Sequence, residues 1–202
     1  MQTTDSLRLE IADSVRKYAK LKYAEKIFIP GETPVPVSGK VIGETELQYM
    51  VEASLDGWLT TGRFNDEFEK KLADFIGIKH LITVNSGSSA NLVAFSTLTS
   101  PKLGNRAIKK GDEIIGVAAG FPTTVNPIIQ FGAIPVFVDV VSDQSIDASK
   151  IEAAITKKTK AIVFVNYGGL PCNLKELNAL AKKNNIKLIQ DAAQSLGSTY
   201  NK

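Results

Sequence analysis

A chain of 202 residues with 44% apolar and 22% charged side chains has the composition of a soluble globular protein, long enough for one large domain or a domain plus an arm. Its net charge of +3 comes from 24 basic and 21 acidic residues spread along the chain without a basic stripe, which argues against nucleic acid as a partner. One cysteine and one histidine exclude an internal disulfide, a Cys-only metal site and a His-rich metal cluster, and with no signal-peptide pattern and no apolar run of about 18 residues the chain reads as cytoplasmic and free of the membrane.

Apolar positions three or four apart (Leu7, Ile11, Val15, Tyr18, Leu21) predict an amphipathic helix within residues 1–26. Residues 27–43 carry Pro30, Pro34 and Pro36 among glycines and predict an extended arm with no core of its own. Helical spacing resumes over 44–56, where Gly57 can end it, and again over 66–76, stopped at Gly77, with a loop at 58–65 between them. From there the rhythm is strand then helix. Strands are predicted at 80–84, 113–118, 134–138, 161–165 and 186–190, and helices at 89–98, 124–131, 149–155 (N-capped by Asp147) and 174–184. That alternation implies an α/β fold, a mostly parallel sheet with flanking helices. We therefore divide the chain into residues 1–60, N-terminal helices and arm, and 61–202, an α/β domain.

Ligands of an open α/β sheet bind beyond the carboxyl ends of its strands, and three segments with suitable chemistry fall there. Ser86-Gly87-Ser88-Ser89-Ala90-Asn91 opens a helix: Gly87 lets the backbone turn tightly, and free amides of Ser88 and Ser89 at a helix N-terminus suit a phosphate. The same serines also suit an ordinary N-cap, and the segment matches neither the Walker loop nor the dinucleotide glycine pattern. Phe121, between Gly120 and Pro122, could stack on a planar ring or simply fill the core. Asp191 ends the last strand, where a carboxylate needs a partner; a pyridinium N–H would serve, and so would the amides of a following turn that Asp191 caps. Gln194 could donate to a phenolate oxygen beside the reactive carbon. A phosphorylated, planar, nitrogen-containing ring needs these three kinds of contact, and their order suggests a pyridoxal-phosphate site. Asp139, Cys172 and His80 read as structural, and the loop 166–169 as a neighbour of the ligand.

Several of these runs, with residues 38–43, Gly57-Trp58-Leu59-Thr60-Thr61-Gly62-Arg63-Phe64-Asn65, Thr99-Ser100-Pro101-Lys102-Leu103-Gly104 and Ala119-Gly120-Phe121-Pro122-Thr123-Thr124, resemble the CDP-4-keto-6-deoxyglucose 3-dehydrase family, a branch of the DegT/DnrJ/EryC1/StrS sugar aminotransferases. The resemblance covers about Ile27 to Tyr200. It implies a truncated large domain of the type I pyridoxal-phosphate fold, with pyridoxal or pyridoxamine phosphate as cofactor, a nucleotide-linked 4-keto-6-deoxyhexose as substrate, and a homodimer. It further implies that Ser88 and Ser89 hold the cofactor phosphate, Phe121 stacks on the ring, Asp191 pairs with the ring nitrogen and Gln194 contacts the ring hydroxyl. The second half, Tyr167-Gly168-Gly169-Leu170-Pro171 and Asp191-Ala192-Ala193-Gln194, looks more like the aminotransferases; the dehydrase pattern has an acidic residue where Gln194 stands. The resemblance places the residue that separates the two reactions, a cofactor-bonding lysine or a proton-abstracting histidine, beyond Lys202, together with any iron–sulfur cysteines. No catalytic residue is therefore expected within this chain, whose reading is the N-terminal part of a 3-dehydrase, with an aminotransferase or a silent phosphate-binding remnant as alternatives.

Overall fold

The computed structural model describes residues 2–200. The chain forms two compact units that divide at Ile82/Thr83, whereas composition placed the division between residues 60 and 61. The helix that follows residue 60 belongs with those before it, because its first residues are tied to them by charge and ring contacts.

In the first unit, α1 (Thr4–Lys22) starts with a reciprocal cap: Ser6 N–H donates to Thr3 Oγ1 at 3.2 Å and Thr3 N–H to Ser6 Oγ at 3.0 Å. α2 (Glu44–Leu55) packs along α1 and is capped by Glu46, whose Oε2 accepts from Gly43 N–H at 2.7 Å. α3 (Arg63–Ile76) starts three residues earlier than predicted and ends at Gly77, whose φ of +76° is the left-handed turn that glycine adopts without strain. Asp56, just beyond α2, accepts from Arg8 of α1 and from Arg63 Nε at 2.8 Å; Arg63 also approaches Glu52 at 3.5 Å, and the rings of Tyr49 and Phe64 lie 5.4 Å apart. Ala19 is the one buried residue in these three helices, so their apolar faces stand largely open.

The second unit is a four-stranded, wholly parallel sheet in the order β2-β1-β3-β4, formed by β1 (Glu113–Val117), β2 (Ile134–Val138), β3 (Thr159–Val165) and β4 (Lys187–Asp191). Successive strand residues face opposite sides, and the core divides accordingly. Ile115, Val117, Ile162 and Phe164 pack with Ile151 of α6 (Ala148–Ala154) and Leu177 and Leu180 of α7 (Leu174–Asn184). Ile114, Ala161 and Val163 pack with Phe95 of α4 (Gly87–Leu98) and Ile128 of α5 (Pro122–Gln130). Helices therefore cover both faces, and the continuous apolar runs of β1 and β3 are what a strand buried on both sides requires.

One expected strand is absent: residues 80–84 join no ladder among the described residues. Apolar and β-branched composition favours an extended chain there, but a strand is defined by membership of a ladder, which composition alone does not supply. Two short 3-10 helices form, Tyr167–Gly169 within the segment read as a loop and Pro101–Arg106 where no element was predicted.

Candidate cofactor site

Because β1, β3 and β4 are adjacent and parallel, the segments after Val117, Val165 and Asp191 emerge side by side at one edge of the sheet. A side-chain bond joins α4 to that edge: Asn91 Nδ2 donates to Asp191 Oδ2 at 3.0 Å. The other carboxylate oxygen of Asp191 accepts from Ala193 N–H at 3.0 Å. An ionised carboxylate has about four lone-pair positions, so these two bonds fix its orientation and leave room for a ring N–H to donate as well. The expectation that Asp191 caps a following turn thus holds for one oxygen, while the other is held by a helix 100 residues away in sequence.

The rest of the edge is stitched from β3 outward. Asn166 is buried and bonded at every polar group: its N–H donates to Asp191 O at 3.1 Å, its Nδ2 to Ser195 Oγ at 3.2 Å, its Oδ1 accepts from Cys172 N–H at 3.3 Å and its carbonyl from Gly169 N–H at 3.3 Å. Gln194 Oε1 accepts from Gly168 N–H at 2.6 Å, which leaves its amide NH2 group as a donor. Gly168 and Gly169 have φ of +60° and +82°, and a Cβ at Gly169 would stand 3.2 Å from Gln194 O, so this turn is built for glycine. Tyr167 reaches toward β1, its hydroxyl donating to Ala119 O at 3.4 Å beside Phe121.

Phe121 is 64% exposed, which removes the core reading of its ring. Its neighbour Gly120 is tightly packed, since a Cβ there would stand 3.0 Å from Val117 Cγ2 and the valine would have to shift. At the start of α4, Ser86 is the N-cap: its Oγ accepts from Ser89 N–H at 3.2 Å, and Ser89 Oγ donates to Asn85 Oδ1 at 2.6 Å. The amides of Ser88 and Ser89 were expected to be free. Ser89 N–H is engaged by the cap, so the free pair among the described residues is Gly87 and Ser88. The space around Gly87 is open, with nothing within 4 Å of where its Cβ would be.

The structure thus places Gly87, Ser88, Ser89, Phe121, Asp191 and Gln194 on the carboxyl-edge loops and helix start of one unit. Asp191 is tied to α4 and Gln194 to the β3 turn, but no hydrogen bond or ring contact joins Ser88, Phe121 and Asp191 directly. Asn91 and Asn166 were missed as site residues. Asn91 lay inside the serine motif one turn into the helix, and its amide was the available signal; Asn166 lay in the loop read as a neighbour of the ligand, but its own bonding role was not assigned. Among residues read as structural, Cys172 is buried, its thiol donates to Val165 O at 3.3 Å, and burial pushes its pKa up, all of which keep it unreactive. Asp139 accepts from Val140 N–H at 2.9 Å. No helix among the described residues is long and apolar enough to cross a membrane.

A model of the DegT/DnrJ/EryC1/StrS aminotransferase family matches residues 40–202. The chain is 59% identical over 199 residues to the lipopolysaccharide biosynthesis protein RfbH of Salmonella typhimurium strain LT2, covering 98% of this chain and 46% of that one. It is 41% identical over 191 residues to dTDP-4-dehydro-2,6-dideoxy-D-glucose 3-dehydratase of Saccharopolyspora spinosa, covering 94% and 41%. The crystal structure of a GDP-4-keto-6-deoxymannose-3-dehydratase with a trapped PLP-glutamate geminal diamine superposes with a TM-score of 0.78 at 33% identity, over 83% of this chain and 43% of that one. This chain spans about half the length of the curated relatives it matches. The family uses pyridoxal phosphate. With the family model matched over residues 40–202 and a solved relative superposing over 83% of its length, the chain belongs to the DegT/DnrJ/EryC1/StrS aminotransferase family.

Proposed function

We propose that this chain holds the cofactor of a cytoplasmic, pyridoxal-phosphate-dependent 3-dehydratase acting on a nucleotide-linked 4-keto-6-deoxyhexose, in the deoxysugar chemistry of lipopolysaccharide synthesis, and that it works as a homodimer. The observation that carries the cofactor reading is the Asp191 carboxylate, clamped by Asn91 and Ala193 yet still able to accept one more hydrogen bond. The residues fit the group. The free amides of Gly87 and Ser88 at the start of a 12-residue helix suit its phosphate, the exposed Phe121 ring suits one face, and the Gln194 amide suits a ring oxygen. The relatives of 59% and 41% identity support dehydration over other chemistry.

When bound, the cofactor supplies an electron sink for the carbon next to the reacting bond. The chain's own residues hold and orient it. Asp191 would keep the ring nitrogen protonated by a charge-assisted bond, because removing that proton would strand an unpaired carboxylate in a half-buried position. Asn91 would hold that carboxylate in the ring plane, and Gln194, its oxygen fixed by Gly168, would present its NH2 group. Phe121 would cover one face and exclude water from it.

Transamination is the second reading, favoured by Gln194, which stands where the dehydrase pattern has an acidic residue. Titration of the chain with pyridoxal or pyridoxamine phosphate should give a saturable change in visible absorbance that Asp191→Ala abolishes; no saturable change overturns the cofactor reading. The reaction is tested on the intact protein with pyridoxamine phosphate and a CDP-linked 4-keto-6-deoxyhexose. A product one water lighter supports dehydration, and an amino sugar formed with glutamate overturns it.

A further inference from the structure

The strands that carry the cofactor loops at their carboxyl ends meet a second, different cleft at their amino ends. β3 is seven residues long, so the two lie about 20 Å apart along the strand direction. The cleft encloses about 530 Å³, within the size range of small-ligand sites. Four cations line it: Arg106 from the end of the first 3-10 helix, Lys157 from the turn before β3, and Lys160 and Lys187 from the first residues of β3 and β4. No carboxylate lines it.

None of the four cleft cations stands in an ion pair among the described residues, and what sets them apart is that they share one concavity whose lining holds no carboxylate to neutralise them. Lys160 and Lys187 are half-buried strand residues, held in place by the ladder rather than free to disperse in solvent, and Lys160 Nζ lies 3.5 Å from Asn105 O. The nearby carboxylate of Glu113 accepts from the hydroxyls of Thr156 and Thr159. The carbonyl end of α7 also points toward this region and contributes about half a negative charge. Neither cancels four like charges gathered in one concavity.

We propose that this cleft is a second ligand site and that it takes a small polyphosphate anion. The choice follows from its lining. Four cations match a ligand of several negative charges, and the side-chain amides of Asn184 and Asn185 add neutral hydrogen-bonding groups. No aromatic side chain lines it, so a stacked base is not what it recognises, and its enclosed volume suits a compact ion rather than a polymer. Inorganic tripolyphosphate and the phosphate chain of a nucleotide share this chemistry.

Calorimetric titration of the full chain with inorganic tripolyphosphate and with ATP tests it. Both should bind saturably at one site, more weakly as salt rises, and excess pyridoxal phosphate should displace neither. Equal affinities identify the phosphates alone as the ligand; tighter binding of ATP adds the nucleoside. Lys157→Gln combined with Lys160→Gln should weaken binding at least about tenfold with the circular dichroism unchanged. Arg106→Gln, an exposed residue outside the sheet, gives the same reading if the double variant folds poorly. Absence of saturable binding, displacement by pyridoxal phosphate, or wild-type affinity in the folded variants overturns the proposal.

Discussion

At the scale of single residues, the site depends on how Asp191 is held. A carboxylate at a strand end can rotate, and a rotated one presents the wrong lone pair to a ring N–H. Asn91 removes that freedom on one oxygen and the Ala193 amide on the other. Of the two, only Asn91 can be changed without altering the turn. We expect Asn91→Ala to weaken cofactor binding about tenfold, the equivalent of roughly 1.4 kcal/mol, in line with one hydrogen bond to a charged group. Asp191→Asn, which also loses the charge, should weaken it further. Fluorescence titration with pyridoxal phosphate measures both, and an Asn91→Ala protein that binds as tightly as the wild type refutes the clamp. Asn91 could not be assigned this role from sequence, because the bond links positions 100 apart and no local pattern records it. Asp191 could be read, since a carboxylate closing an apolar run is conspicuous without any knowledge of its neighbours.

At the scale of elements, the first unit is organised by charge more than by core. Asp56 gathers Arg63 from α3 and Arg8 from α1 at the end of α2. The hydrogen bond from Arg63, followed by that from Arg8, holds the Asp56 carboxyl below its ordinary value of 3.8. A carboxyl lowered in the folded state stabilises fully above its unfolded value and loses that contribution as pH falls through the folded one. The contribution of this cluster should therefore fade in a window below pH 3.8, and Asp56→Asn should be less stable than wild type at neutral pH but equal to it in acid. Trp58, the only tryptophan, lies in the loop between α2 and α3 and reports this by fluorescence; an unchanged acid profile in Asp56→Asn refutes it. Legibility varied among elements for related reasons. β2 and α7 were read to the residue, because Gly132 precedes one and Asn173 caps the other, and such signals are local. α3 was started late because Arg63, Phe64 and Asn65 carry no sequence cap; Gly62 supplies the extended N-cap backbone instead. Residues 80–84 were read as a strand from composition, which says nothing about whether a partner exists.

At the scale of the molecule, the sheet has two open edges, β2 and β4. An unpaired edge invites association through its backbone, through its side chains, or both. In β2 the backbone route is blunted, since Pro135 has no N–H to offer a neighbouring strand. The side-chain route is not: Ile134 and Phe137 are 46% and 53% exposed on the same short strand. Two apolar side chains beside a strand with an interrupted donor row favour contact by burial of surface over extension of the sheet. We therefore expect the chain to self-associate reversibly as its concentration rises, measured by sedimentation velocity. Phe137→Lys should shift it toward monomer, because a charge on an edge strand resists burial against a second copy. The same change should leave the thermal midpoint nearly unaltered, since more than half of the ring is already in water. A chain that stays monomeric at every concentration, or a Phe137→Lys variant that associates as strongly as the wild type, would show that this edge is not what draws copies together.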